Sequence, residues 1–589
     1  MNYRSRPTGK QSVEDPDKSG QVVVEKVVEV VREQRLLLSL IAVFHTMRGT
    51  LIKTVVVALS GLCTLPSAAQ VFTHAWQASG TANQEVTAIR FTSTGHVIEV
   101  IAGGGPVVIG TDTLPYPASS YLASYSAGGA LDWVVPVGDQ LLNPGYMRRS
   151  ALAVTADDTI HFVGTFSDTA MIGDTLLAIP GLNLFLATFT TSGEQVRVRV
   201  IGSELRPVAL EPVPGGDLVL GATSRDTSFM IGTTTLNTFA NMGVDILLAR
   251  MDRYGNIIWH DQSGGPSYLS DNIADLAVHP DGAIAITGRI RSDSQFDTIL
   301  QTVPDINPHG FVARYSAGGT AQWVKLFGYE PEAVAVDADG YCYVAGFGAN
   351  HIDPADIISG NPSGVHYLAS IDSVGEVNWV VMPDDGNYGF ARDIAVNANG
   401  DAWVAGNHRT LLSVGGLAAS AAGGEALMVF KTDRFGTAQW VSLSGSGNAT
   451  SDIEALCIAV DDSCGVAVGG TYWTSGSWDL GALSVPQPNT GDALTAILDG
   501  CDLSTGAVPP VPAEQEWCIH PNPTSDRITV QLPINARGSL RIVDAQGRSC
   551  LDRQLHGDTH KMEFSLPSGV YLVTWSSADG SRTQRLVVE

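Results

Sequence analysis

The feature that most constrains this chain is a strand–turn–strand unit that recurs seven times. Its clearest copy is Ala333-Val334-Ala335-Val336, an Asp337-Ala338-Asp339-Gly340 turn, then Cys342-Tyr343-Val344-Ala345-Gly346. Close relatives occupy 275–288 and 393–406, and looser copies end their first strand at Phe91, Val154, Leu210 and Val460. The seven anchors run from residue 91 to residue 460 in six intervals, an average of about 61 residues. A period of tens of residues is the mark of a solenoid, propeller or array.

Each copy carries four strand signals. The first is a small apolar run such as Ala151-Leu152-Ala153-Val154, suited to a strand buried on both faces. The second follows the turn, as in Ile160-His161-Phe162-Val163-Gly164. The third follows a variable loop that often carries Ile-Gly-x-x-Thr-Leu, at Ile109–Leu114 and Ile231–Leu236. The fourth centres on Trp133, Trp259, Trp323, Trp379 or Trp440, with Val196 in that place once. Small residues on the first strand and aromatics on the last describe a wedge, crowded at an axis and wide at the rim. A wedge of this kind must stack on neighbours. The seventh copy lacks its Trp strand, and residues 74–80, with Trp76, supply one at the other end of the repeat region. A strand donated in this way removes an open edge. The expected fold is therefore all-β, a seven-bladed β-propeller closed by an N-terminal strand.

Few charged residues and 63 glycines in 589 residues fit short strands and tight turns. The net charge of −26 repels phosphate backbones, so no nucleic-acid partner is expected. Residues 1–69 read as leader and signal peptide. Met47-Arg48-Gly49-Thr50-Leu51-Ile52-Lys53 is a basic region, Thr54–Leu62 a short apolar core, and the small residues up to Ala69 place cleavage before Gln70. The apolar core is too short for a membrane span, so no transmembrane segment is expected in the mature chain. Translation is expected to start at Met47; the alternative is an unusually long leader. Cleavage leaves six cysteines, an even number that permits disulfides without fixing their pairing. Cys464, in the turn between the first two strands of the seventh copy, and Cys501, just after its third, are a possible clasp. Separate thiols, or a Cys501–Cys518 pair, fit equally well.

The strand–turn–strand unit with its Val-Ala-Gly ending, Phe-Val-Ala-x-Tyr at 311–315 and the Gly-x-x-x-Trp strands together resemble the bacterial β-propeller repeats called SBBP repeats. The first two strands are also similar to NHL repeats. The resemblance covers roughly residues 71–500 and implies the propeller fold, within a domain spanning 70–501.

A Pro-rich linker, 502–517, separates this region from a last block, 518–589. Alternating apolar residues there predict a small immunoglobulin-like β-sandwich. The block contains Pro521-Asn522-Pro523, the turn residues Asp544, Gly547 and Arg548, then Leu566, Pro567, Gly569 and Tyr571, before an apolar last strand. In that order these motifs resemble the C-terminal sorting domain of type IX secretion substrates. The resemblance implies the type IX secretion machinery as a partner, and a secreted or outer-cell-surface location.

The residues give no catalytic constellation: Gly-x-Ser-x-Gly, His-Glu-x-x-His and a phosphate loop are all missing from the sequence. No cofactor or metal site is expected either. Asp337/Asp339 and Asp461/Asp462 read as turn residues rather than calcium ligands, because a calcium loop needs about six oxygens. Asp112-Thr113-Leu114, Asp168-Thr169-Ala170 and Asp297-Thr298-Ile299 resemble bacterial O-glycosylation sites. The expected function is a non-catalytic binding, adhesion or structural module for an unknown extracellular protein or glycan. The alternative is a propeller-based glycan hydrolase or lyase, with carboxylates drawn from several blades.

Overall fold

The computed structural model describes residues 72–499 and 518–588 apart from connecting segments, the longest being 139–150 and 349–364. The chain divides into two compact units, with the boundary after Asp502. Among the described residues every regular element is a strand, and no helix is long and apolar enough to cross a membrane.

The first unit contains seven four-stranded antiparallel sheets, two of them extended by a hairpin. Their first strands are Gln84–Phe91, Ala151–Val154, Leu205–Pro212, Asn272–Val278, Glu330–Val336, Gly389–Val396 and Asp452–Val460, which number sheets 1 to 7. These strands adjoin one another in that order, and the seventh adjoins the first. The arrangement is propeller-like, with the first strands nearest the axis. Sheet 7 takes three strands from the end of the repeat region and its fourth, Phe72–Gly80, from the beginning. That strand pairs antiparallel with Asp492–Asp499, Ala75 opposite Ala496 and Gln77 opposite Leu494.

Packing follows from the wedge. Seven apolar clusters each draw on two neighbouring sheets, the one joining sheets 7 and 1 including Ala78, Val86, Tyr121, Tyr125 and Cys457. Each fully buried large side chain in such a cluster contributes roughly 1.5–3 kcal/mol. Small residues keep the inner strands close: Ala88, Ala151 and Ala333 are buried at equivalent places.

At the rim, each Trp of the fourth strand seals the gap to the next sheet. Trp133, Trp259, Trp323 and Trp379 donate from Nε1 to the carbonyls of Thr191, Ala317, Ser373 and Arg434, at 2.7, 3.2, 2.9 and 3.0 Å. Those carbonyls lie in the turn before the next sheet's fourth strand. Two residues on, Gly193, Gly319, Gly375 and Gly436 have φ near +80°. A Cβ at Gly319 would lie 2.7 Å from the Trp259 ring, so the turn needs glycine for both reasons. Trp76 of the closing strand meets Gly129 of sheet 1 in the same manner.

Two details differ from the sequence reading. Val196 is not the Trp equivalent. Thr188 pairs with Arg197 as Arg250 pairs with Trp259, and Val196 falls on the bulge, 58% exposed. The segments at Ile109–Leu114 and Ile231–Leu236 are hairpins rather than loops. Each pairs with the fourth strand of the preceding sheet: Ile109 opposite Ala78, and Ile231 opposite Gly202. An outer edge that would otherwise template aggregation is thereby covered.

The second unit has a three-stranded sheet, Cys518–His520, Arg527–Gln531 and Thr559–Glu563, and a four-stranded one that includes Arg537–Val543 and Gly569–Ser577. Ile528, Val530 and Met562 of the first share one core with Leu540, Val573, Trp575 and Leu586 of the second.

Candidate functional site

The inner strands decide what faces the axis. Most positions there are small, and the charged exceptions are paired. Arg90 of sheet 1 reaches Glu211 of sheet 3 at 2.5 Å, both side chains about three-quarters buried. Burial pushes the Glu211 carboxyl up against the pull of Arg90, and Asp393 adds to the rise. Asp275 accepts from the Val334 N–H at 3.0 Å, and Asp393 from the Ile458 N–H at 2.9 Å, so each ties its sheet to the next inner strand. Arg392 bridges two carboxylates, Glu454 at 2.6 Å and Glu332 at 3.6 Å. These residues pin the ring together across its axis. At the turn end of the inner strands lie two cavities of about 480 and 520 Å³, lined by turns of sheets 1, 2 and 7 and of sheets 2, 3 and 4.

Where the inner strands of sheets 5 and 6 begin, aromatic rings and guanidinium groups come together. Phe347 and Phe390 stack at 4.1 Å, and Tyr388, 40% exposed, meets Phe390 edge-on at 5.1 Å. Arg392 lies over Phe390 at 4.2 Å and Arg409 over Tyr388 at 4.8 Å, while Arg409 also pairs with Glu425 at 2.7 Å. Such a surface offers apolar ring faces bordered by fixed donors and acceptors, which suits adhesion. Between the same sheets His366 and His408 are buried with ring centroids 5.3 Å apart. Burial, and then His408, hold the His366 imidazole well below the usual histidine range.

The residues singled out from the sequence fall as follows. Asp337 spends its oxygens on its own turn, accepting from the N–H groups of Asp339 and Tyr341 and from the Tyr343 hydroxyl. Thr113, Thr169 and Thr298 are all exposed and all sit on the hairpins that follow the second strands. Cys342 and Cys457 are buried thiols, and burial pushes Cys342 up to about 11. Ala69, Gln70, Cys464, Cys501, Pro521, Asn522, Pro523, Asp544 and Gly547 lie outside the described residues.

In the second unit, Leu566-Pro567-Ser568-Gly569 forms the approach to a strand whose Tyr571 is buried. Its hydroxyl donates to the Pro567 carbonyl at 2.7 Å, closing the turn on the core. The spacing of this motif thus has a packing cause: Tyr571 turns back on the proline four residues before it.

Residues 518–589 match the family model of the secretion system C-terminal sorting domain. No curated protein matches the chain. Among solved structures, a protein of unknown function from Dyadobacter fermentans is similar at 12% identity and a TM-score of 0.35, covering 74% of this chain and 100% of that one. PorZ, a surface component of the type IX secretion system of Porphyromonas gingivalis, is similar at 13% identity and a TM-score of 0.19, over 86% of this chain and 81% of its own. An ulvan lyase is similar at 10% identity and a TM-score of 0.34, over 67% and 93%. The last block is therefore a secretion system C-terminal sorting domain, and it marks this chain for type IX export to the cell surface or extracellular space.

Proposed function

We propose that the seven sheets are the blades of a seven-bladed propeller of the SBBP type, which works after export as a non-catalytic binding, adhesive or structural module. Its ligand is an extracellular glycan or protein. On this reading a signal peptide ends at Ala69, and the sorting domain is an immunoglobulin-like sandwich. The observation that carries the reading is the state of the axial carboxylates. Glu211, Glu332, Glu454, Asp275 and Asp393 are each engaged by an arginine or a backbone N–H, which is how a ring is pinned. A glycosidase needs an acid and a base poised on either side of a substrate. The aromatic surface of sheets 5 and 6 supplies a second support.

The test is to screen the exported protein on glycan and protein arrays and, in parallel, on a panel of polysaccharides for product release. Binding without turnover is expected. Release of oligosaccharides would overturn the reading in favour of a hydrolase or lyase.

A further inference from the structure

The gap between sheets 2 and 3 departs from the pattern of the ring. At Trp133, Trp259, Trp323, Trp379 and Trp76 the Trp side chain fills the space between a fourth strand and the next sheet's turn. Here the equivalent residue is Arg197, whose guanidinium lies over the Tyr254 ring at 4.5 Å. The smaller filling leaves a cavity of about 430 Å³, lined by His161, Thr188, Phe189, Arg197, Arg253 and Tyr254 among others. That is within the range of small-ligand sites.

The polar groups around it divide into those already engaged and those left over. Asp157 accepts from the Thr155 hydroxyl and from Arg253, at 2.5 and 3.2 Å, and its carboxyl is held down at about 2, first by the Thr155 hydrogen bond. Asp158 accepts from the N–H and hydroxyl of Ser93 at 2.7 and 2.6 Å. The Thr191 carbonyl is taken by Trp133. Among the described residues Arg197 has neither an ion pair nor a hydrogen bond. His161 is 1% exposed, and its Nδ1 shares a hydrogen bond with the Thr188 hydroxyl at 3.2 Å. Nε2 of His161 has no partner among the described residues. Burial, and then Arg253, hold this imidazole at about 4, so it is neutral at pH 7.

We infer that the cavity between sheets 2 and 3 is a binding site for an acidic sugar, with Arg197 taking the carboxylate and His161 a hydroxyl. An unpaired guanidinium in a strongly acidic chain selects a carboxylate. A neutral, buried imidazole nitrogen suits a hydroxyl, because it adds direction without charge. A peptide would instead need free backbone groups at the rim. There the turn closes on itself, from the Gly193 N–H to the Thr190 carbonyl, and Trp133 holds the next carbonyl.

This inference rests on the ring being a binding module, and the test separates the two. The exported protein is titrated calorimetrically with tetragalacturonate, with neutral maltotetraose and with a tetraglutamate peptide. Binding of the uronate alone is expected, weakened about tenfold or more in Arg197→Gln. Arg197→Trp restores the residue of the other sheets, so it should fold, melt higher and bind no uronate, while Lys325→Gln, an exposed cation of sheet 4 paired with Glu376, leaves binding unchanged. Uronate binding that survives both Arg197 variants would overturn the site but leave the binding-module reading intact. Binding of the peptide alone, or of no acidic probe, would overturn the site, and the arrays then judge the module by itself.

Discussion

The hydroxyl of Thr495 donates to the Glu99 carboxylate at 2.5 Å, joining residues 396 apart across the seam between sheets 7 and 1. Glu99 is 1% exposed. Burial pushes its carboxyl up to about 7, against the Thr495 hydrogen bond and the nearby Tyr125 hydroxyl and Trp76 N–H, which pull it down. An acid whose folded value exceeds its unfolded value of 4.5 keeps a proton in the fold that the unfolded chain has lost. Its contribution is complete below about pH 4.5 and declines as pH rises to about 7, a total of about 3 kcal/mol. Glu99→Gln should therefore raise stability by about 2–3 kcal/mol at pH 8 and change it little at pH 4.5. Urea unfolding at both values checks this. A gain of equal size at the two pH values would contradict it.

The rim contacts predict a coupled pair. Gly319→Ala places a methyl against the Trp259 ring at a φ of +85°, and should cost about 2 kcal/mol or more. Trp259→Ala loses burial and the bond to Ala317, about 2 kcal/mol for a partly exposed ring. In the double variant the clash is relieved, so its loss should fall short of the sum by about 1 kcal/mol. Strict additivity in a denaturant double-mutant cycle would mean that the two residues do not meet.

Removal of residues 518–589 takes away the sorting domain that marks the chain for type IX export. The truncated chain should accumulate in the periplasm, as read by cell fractionation. Its normal appearance at the surface would refute the role given to this block.

Of the pairings the cysteines permit, we propose a covalent clasp in sheet 7 between Cys464 and Cys501. Gly465 pairs with Asp499 in the last described rung; Cys464 stands one residue before Gly465, and Cys501 two residues after Asp499. A bridge would close a loop of about 37 residues, worth roughly 3–4 kcal/mol by chain entropy. Non-reducing peptide mapping of the exported protein should yield a Cys464–Cys501 peptide. A Cys501–Cys518 peptide, or free Cys464, would dismiss it.

The ring was legible because its cause is periodic. Alanine-rich inner strands and rim tryptophans recur, and even Trp76 shows itself by standing where the seventh copy needs a Trp. The Arg197 exception was also within reach. Trp133, Trp259, Trp323, Trp379 and Trp440 each stand four residues after a turn glycine, and four after Gly193 is Arg197. Aligning apolar character instead leads to Val196, which the bulge turns outward. Glu99 was hidden, because a carboxyl inside Val97-Ile98-Glu99-Val100 says nothing of the Thr495 it meets from the far end of the ring. The cluster of Phe347, Tyr388 and Phe390 was hidden for a similar reason, since it forms between strands of two sheets. The hairpins look like loops in the sequence because their strands are short and their partner edge belongs to another sheet.

The claim on which the account most depends is that Phe72–Gly80 completes sheet 7. Thermal unfolding of the chain lacking residues 72–80 tests it directly, against the chain lacking an equal length of the outer hairpin of sheet 2, residues 173–181, six of them exposed. Loss of the closing strand exposes the edge of Asp492–Asp499 and opens the cluster shared by sheets 7 and 1. The account predicts a midpoint several degrees lower for the first deletion than for the second. Equal midpoints would contradict it.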